Sequence, residues 1–505
     1  MSDHHGADEQ SSFVFINACI ILAIGAFIYR RSGHIEPELA AIPTIGWSFF
    51  PLSFITAIIY IFDANRLIQE GYNKYPEGVY KIAGFTIWNI FVCDKRLIEE
   101  MRMHSNDELS LGGAAADLVI TPHTFSLDSE PLHSAYKTEL VEMRLTRTLT
   151  DLVPLVHEEI TQYFATQESL LGDNKEWATF SSLDMSTNIM TLVWSRILGG
   201  PSLSQNKDFI ASYRSLLRMA LPMSSLAWCL PKPLQRLIYR LLFRMKISAH
   251  IKSLLNEMDA SSSRNTPSGQ NICTWMLLDE SKPSSMDVLE TLQALALSGV
   301  SSLTTVSSEL LHHLAKHGEY NDFLRDEMRK LTRTEGWTRN AIEEMSFVDS
   351  FVKESMRREN IRSASMMRKV IKPFTFSNGL QIPVGTIISV PSRSIHMDPE
   401  RYSRPNDFEG FRFVTHEDNL PTTSVQDMLI STNPDFFVWG HGREACPARF
   451  FAATVLKLLV AHIVCHYDVK LPKVKGQERK PRWLEGDRVP DFQSKIMLRK
   501  RQRHQ

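Results

Sequence analysis

The sequence predicts a mainly α-helical protein with a small β region, preceded by one N-terminal transmembrane helix. Three observations lead there. Residues 140–163, 208–258 and 285–317 read as long helices, the first with clear helical apolar spacing. Asn378-Gly379 stands between two apolar alternations, which marks a tight hairpin turn. Phe13 to Tyr29 is an apolar run of 17 residues, long enough for one membrane crossing.

Taken in order, the N-terminal run follows a polar, partly acidic stretch, Asp3 to Gln10, and precedes Arg30-Arg31. Basic residues after the run place the remainder on the cytosolic side, and they argue against a cleaved signal peptide. Trp47 to Phe62 is a second apolar stretch, interrupted by Pro51 and closed by Asp63. It reads as a surface helix against membrane or domain, with a second span as the alternative. Ala64 to Tyr75 is an early helix, and Gly78 to Ile82 begins the small sheet. The helical pair 208–258 breaks at Leu221-Pro222 and at Leu230-Pro231-Lys232-Pro233. Ser261 to Gly269 is a flexible surface loop. Ser285 to His317 is one long helix, with Gly318 as its C-cap and His317 at its negative end. Lys473 to Arg482 is polar, basic and exposed. No strong linker interrupts Lys74 to Leu471, so residues 33–505 read as one domain behind a 1–32 tail and anchor.

Of 505 residues, 43% are hydrophobic, enough for a large core. Basic and acidic residues number 56 and 57, which gives no support to a nucleic-acid partner. Six cysteines, at 19, 93, 229, 273, 446 and 465, form no CxxC pair and fit a reducing compartment.

Chemistry concentrates near the C-terminus, in Trp439-Gly440-His441-Gly442-Arg443-Glu444-Ala445-Cys446-Pro447-Ala448-Arg449-Phe450. Glycines let a backbone approach a flat ligand. A helix that begins just after a thiolate lowers the cost of its charge. One thiolate without a second cysteine nearby suits an axial ligand of haem iron better than a zinc site. Alone, Cys446 also reads as a small buried apolar residue. Upstream, Glu354 and Arg357 are spaced to pair on one helix face. Pro373 to Thr386, Ile395-His396-Met397-Asp398-Pro399 and Phe408-Glu409-Gly410-Phe411-Arg412-Phe413 follow in order.

This ordered set resembles the cytochrome P450 family, and most of all its membrane-anchored fungal members of secondary metabolism. The resemblance implies a mostly helical fold with a small sheet region and a buried haem b. It makes Cys446 the proximal iron ligand, within a loop that includes Trp439 and Gly442. Glu354, Arg357 and Arg412 would form a buried network behind that loop. Arg368 matches a base that binds a haem propionate; His133, Lys137, Arg144 and Arg147 lie near where another belongs. The stretch Leu221 to Leu230 would roof the substrate channel, while its residues alone read equally as a buried helix connection.

On the long helix, Ser298-Gly299-Val300-Ser301-Ser302 falls where the family places a small residue, a glycine and then an acid followed by threonine. Gly299 would leave room beside the iron. Ser302 would relay protons in the threonine's place, whereas Ser301 offers no carboxylate. As residues alone, both serines also read as small groups easing helix packing. An alternative register would use Thr304 and Thr305. Glu444 stands where the family has a propionate-binding base, so it is expected to face solvent or pair with Arg443. Trp439 replaces a phenylalanine, and Ala448 a glycine.

The resemblance further implies a monooxygenase fed by NADPH through a cytochrome P450 reductase, with cytochrome b5 as a second donor, on the endoplasmic reticulum membrane. No nicotinamide or flavin fingerprint occurs in the chain. Arg443, Arg449 and Lys457 are the expected docking bases. An apolar substrate, a terpenoid by family analogy, would meet Leu295, Gly299, Ser302, Ala364, Ser365 and Met366. Two alternatives stand beside this: a haem-thiolate enzyme that desaturates, dehydrates or rearranges, and a non-catalytic haem-binding scaffold.

Overall fold

The computed structural model describes residues 37–49, 51–84, 87–118, 144–167, 176–215, 271–277, 285–417, 420–473 and 481–501. The apolar run at 13–29, the loops at 221–230 and 261–269, and His133 and Lys137 lie outside the described residues. The chain forms two compact units: residues 1–111 with 367–391, and residues 112–366 with 392–505.

The first unit carries a six-stranded sheet. Its strand order is Thr44–Ile45, Val79–Ala83, Trp88–Val92, Ile387–Val390, Ser365–Val370 (which enters this unit at Met367) and Leu109–Ser110. Strand Val79–Ala83 is buried along its whole length, Lys81 included, whose ammonium donates to Leu39 O. Helix α1, Ser53–Lys74, packs on it. Tyr80 is fully buried there and donates its hydroxyl to Ile68 O at 2.8 Å. Gly71 admits that ring: a Cβ on it would lie 2.2 Å from Tyr80 Cε2. The expected surface helix and early helix are one element, bent at Asp63, where φ is −148° and ψ 37°. Ile55, Ile58 and Phe62 share one exposed stripe of α1, with Trp47 and Phe49 exposed just before it. The Asn378-Gly379 hairpin forms as expected, with Phe374 paired to Ile382 and Gly379 at φ +84°.

The second unit is helical. Its main helices are α2 (Leu149–Thr166), α3 (Ser182–Gly199), α4 (Ser285–Lys316), α5 (Asn321–Glu335), α6 (Ser346–Arg358) and α7 (Arg449–His466). Helix α4 packs against α3, α6 and α7. Helix α7 is largely apolar and is covered on all sides from Phe451 to Val464, Lys457 and His462 included. It is the only described helix long and apolar enough to cross a membrane, and its burial makes it a core helix. Helix α6 has no cap of its own. Glu327 on α5 supplies one, accepting the N–H groups of Phe347 at 2.8 Å and Val348 at 3.0 Å. Strands Ala178–Ser181, Lys495–Lys500 and Tyr467–Lys470 form a three-stranded sheet. A hairpin joins Arg482–Leu484 to Asp487–Val489.

One expected cap differs. Gly318 does not hold the left-handed conformation of a C-cap glycine; it opens a short 3-10 turn, Gly318–Tyr320, that leads straight into α5.

Candidate active site

Cys446 stands three residues before α7, and the loop ahead of it is closed by its own backbone. Cys446 N–H donates to Trp439 O at 2.7 Å, Gly440 N–H to Phe437 O at 3.0 Å, and Ala445 N–H to Gly442 O at 3.1 Å. Gly440 and Gly442 hold φ of 74° and 82°, the left-handed region that a Cβ disfavours. The Trp439 indole is buried and donates to Leu429 O at 2.6 Å, which fixes the start of the loop.

The Cys446 thiol is half-buried and not in a disulfide. Burial pushes it up, while the Ala448 N–H and the Arg449 guanidinium pull it down. Arg449 also donates to Cys446 O at 3.1 Å and lies over the Phe450 ring, 4.5 Å from its centroid. A single thiol with a backbone donor, at the positive end of a long helix, fits one axial bond to an iron. Among the described residues no group of three or more His, Cys, Asp or Glu side chains could hold a metal ion by itself.

Behind this loop lies the network expected from the motif. Glu354 and Arg357 are both fully buried, and Arg357 donates from Nε at 2.7 Å and Nη2 at 2.8 Å to the two carboxylate oxygens. Arg412 Nε reaches Glu354 Oε2 at 3.1 Å. The residue that carries the network to the cysteine loop is His396. Arg357 Nη1 donates to His396 O at 2.5 Å, and Phe437 N–H donates to His396 Nε2 at 2.9 Å. His396 appeared in the sequence only as part of a motif, because spacing does not show which carbonyl or ring nitrogen a buried arginine will meet. Burial, then the neighbouring Arg357 and Arg393, lower its imidazole to about 3, so it stays neutral and able to accept.

On α4, Ser302 is exposed and Ser301 half-exposed, while Thr304 and Thr305 are buried. Thr305 spends its hydroxyl on Ser301 O at 3.1 Å. Of these four residues Ser302 is the most exposed, Ser301 is partly exposed, and the threonines of the alternative register are covered. Gly299 is needed for a reason other than the one expected. A Cβ there would lie 2.6 Å from Trp194 Cζ2 on α3, so the room it makes is taken by an indole.

Lys457 is not a docking base. It is 6% exposed and bound to Asp349 Oδ1 at 2.5 Å and to Ile342 O at 3.1 Å. Arg443 is exposed, Glu444 half-buried. Arg144 donates to Trp275 O at 3.1 Å, and Arg147 is exposed. Arg368, in the first unit, is 3% exposed and donates to Met367 O at 3.0 Å.

A second buried charge cluster was not foreseen. Arg488 on the C-terminal hairpin bonds Glu359 and lies 3.2 Å from Glu309 Oε2 on α4, and His313 Nε2 is 3.6 Å from Glu359 Oε1. Arg488 lies 129 positions from Glu359 and 179 from Glu309 in the chain, beyond the reach of any local pattern.

A helical domain that holds one thiol at a helix start, braced by a buried Glu–Arg–Arg network, has the build of a haem-thiolate enzyme. Comparison with known proteins agrees. The cytochrome P450 family model matches residues 127–489. Cytochrome P450 monooxygenase 151 of Postia placenta is 32% identical, over 92% of this chain and 94% of that protein. Ent-kaurene oxidase of Fusarium fujikuroi is 24% identical over 98% and 95%. The retinoic-acid-bound cyanobacterial CYP120A1 shares the fold at a TM-score of 0.67 and 18% identity, covering 88% of this chain and 96% of that one. The chain belongs to the cytochrome P450 family and is a P450 monooxygenase, an oxidoreductase whose family binds haem through a cysteine thiolate.

Proposed function

We propose that this enzyme inserts one oxygen atom from O2 into an apolar terpenoid-type substrate, with electrons from NADPH delivered by a membrane-bound cytochrome P450 reductase. Haem held through the Cys446 thiolate would supply the oxygen-activating chemistry. The chain's own residues do the rest. Ala448 N–H and Arg449 stabilise the thiolate charge. Ser302 offers the exposed hydroxyl that passes protons from water on α4. Leu295, Ala364, Ser365 and Met366 line the pocket together with Ser302. Arg368 serves a propionate.

The observation that carries the reading is the path from Glu354 through Arg357 and His396 to the Cys446 loop, which braces the loop that would hold haem. Terpenoid chemistry is supported by the name of the ent-kaurene oxidase relative. For location, the apolar run at 13–29 and the exposed stripe Ile55, Ile58 and Phe62 support attachment to the endoplasmic reticulum membrane with the domain in the cytosol. Arg443 and Arg449 remain the bases for reductase, or for cytochrome b5.

The test is turnover of a terpenoid panel with added reductase and NADPH under labelled O2. One labelled oxygen per product is expected. Product without label would favour the desaturase or rearrangement reading, for which the missing acid at Ser301 is the motive. NADPH consumption that never exceeds the reductase-only control would favour the scaffold.

A further inference from the structure

Helix α6 carries three buried charges, one per turn: Asp349, Lys353 and Arg357. Residues four apart on a helix share a face. Each of the three holds a backbone group of the chain that precedes Cys446. Arg357 donates to His396 O, and His396 Nε2 accepts the Phe437 N–H. Lys353 Nζ donates to Asp427 O at 2.8 Å and lies 4.1 Å from the Phe413 ring centroid. Asp349 Oδ2 accepts the Leu429 N–H at 2.6 Å.

The Asp349 contact continues to the cysteine. Leu429 O accepts the Trp439 indole N–H at 2.6 Å, and Trp439 O accepts the Cys446 N–H at 2.7 Å. On its other side, Asp349 Oδ1 lies 2.5 Å from Lys457 Nζ on α7. This route runs from Lys457 through Asp349, Leu429 and Trp439 to Cys446. It leaves α7, crosses α6 and returns to the residue three before α7 begins. Lys457, Asp349, Leu429 and Trp439 are all buried.

A buried ion pair does little for stability by itself, because apolar residues of like volume often do as well. Phenylalanine would fill much of the space of Trp439, but it carries no donor, and the route would end at Leu429. What the pair and the indole add together is a fixed position for Trp439 O, the acceptor that orients the Cys446 backbone. The Ala448 N–H and the Arg449 guanidinium act on the Cys446 sulfur, so the stance of that backbone sets how the sulfur meets them.

We propose that Asp349 and Trp439 are positioning residues for the haem thiolate. With Lys457 they form a second arm on the Cys446 loop, beside the arm that Glu354, Arg357 and His396 extend to Phe437. The inference rests on Cys446 holding haem, as proposed above.

The test begins with Trp439→Phe, which keeps an aromatic ring and removes the donor. Two readouts are taken on haem-loaded protein: the rate of haem transfer to excess apomyoglobin, and the width of the iron–sulfur stretching line in the resonance Raman spectrum. The line reports the thiolate bond itself, which a role in overall stability would leave alone. Trp439→Phe should transfer haem about fivefold faster, the equivalent of one hydrogen bond of about 1 kcal/mol, and should broaden the line. Lys457→Met combined with Asp349→Asn removes the buried pair but keeps an acceptor for the Leu429 N–H, and should match wild type. Lys457→Met combined with Asp349→Leu removes the acceptor as well, and should match Trp439→Phe. Adding Trp439→Phe to that last pair should change nothing further, because both cut one route. Wild-type transfer and line width in Trp439→Phe overturn the second arm, and this variant decides the matter even where the Asp349 variants do not fold. Multiplying effects in the triple variant, about twenty-fivefold in transfer, overturn the single route. Faster transfer with Asp349→Asn puts the charge in place of the acceptor and overturns the hydrogen-bonded chain. If wild type shows no thiolate-type carbon monoxide band, the haem reading fails and the arm with it; with that band present and Trp439→Phe unchanged, the arm alone fails.

Discussion

Arg357→Ala removes the centre of the network that braces the cysteine loop. Arg357 makes two bonds to Glu354 at 2.7 and 2.8 Å, one to His396 O at 2.5 Å and one to Pro405 O at 3.0 Å, and its guanidinium lies 4.9 Å from the Tyr402 ring centroid. After truncation, the fully buried Glu354 keeps only Arg412 Nε at 3.1 Å and the Glu409 N–H at 3.2 Å. Breaking one side of a buried pair costs about 3–5 kcal/mol, and the surviving Arg412 contact holds the loss toward the lower end. Against a total of about 5–15 kcal/mol, most of the protein still folds, but with little margin. Arg357→Lys keeps the charge and loses the fork, so it should lose roughly half as much. Urea unfolding of both variants, with haem counted per chain, measures this. The expected order is wild type, then Arg357→Lys, then Arg357→Ala, with haem occupancy falling in the same order because His396 and Phe437 lose their anchor. An Arg357→Ala protein within about 1 kcal/mol of wild type, with full haem, would refute the reasoning.

Gly299→Ala should destabilise by about 1–3 kcal/mol, because its Cβ lies 2.6 Å from Trp194 Cζ2, and Trp194→Phe should recover part of that loss in the double variant. Additive losses would show that the two do not touch. His462→Phe should stabilise the protein increasingly as pH falls. The ring stacks on Phe164 at 4.7 Å, its Nδ1 has no hydrogen-bond partner, and burial lowers it to about 3. A neutral buried histidine costs stability as the unfolded state protonates, from about pH 6.5 down to about 3. The gap between the variant's and wild type's unfolding curves should therefore widen by about 1.4 kcal/mol per pH unit in that window; parallel curves would contradict it. Ser302→Ala should leave NADPH consumption but divert it to hydrogen peroxide, by about 10²-fold in product yield at most, while Ser302→Thr is tolerated and Thr304→Ala, being buried, has no such effect. Uncoupling by Thr304→Ala alone would move the site along α4.

Much of this was legible in the sequence because it is local. Glu354 and Arg357 lie one helical turn apart, so their pairing follows from spacing. The glycines before Cys446 and the Asn378-Gly379 turn announce their own backbone. Ser302 was placed by counting along one unbroken helix, on which it is exposed and Thr304 buried. Contacts between distant segments were not legible. Trp194 fills the space at Gly299, Glu327 caps α6, Asp349 captures Lys457, and Arg488 joins Glu309 to Glu359. Lys457 shows the cost most clearly. A lysine on a helix near the cysteine reads as a surface base, and only the packing of α6 on α7 reveals a buried ion pair.

The central claim is that Cys446 is the thiolate that holds the haem. The carbon monoxide difference spectrum of the reduced protein tests it most directly, with wild type, Cys446→Ala and Cys465→Ala measured side by side. Wild type and Cys465→Ala should give the thiolate-type band, and Cys446→Ala should lose it together with all turnover. A thiolate-type band in Cys446→Ala, or its loss in Cys465→Ala alone, would contradict the account.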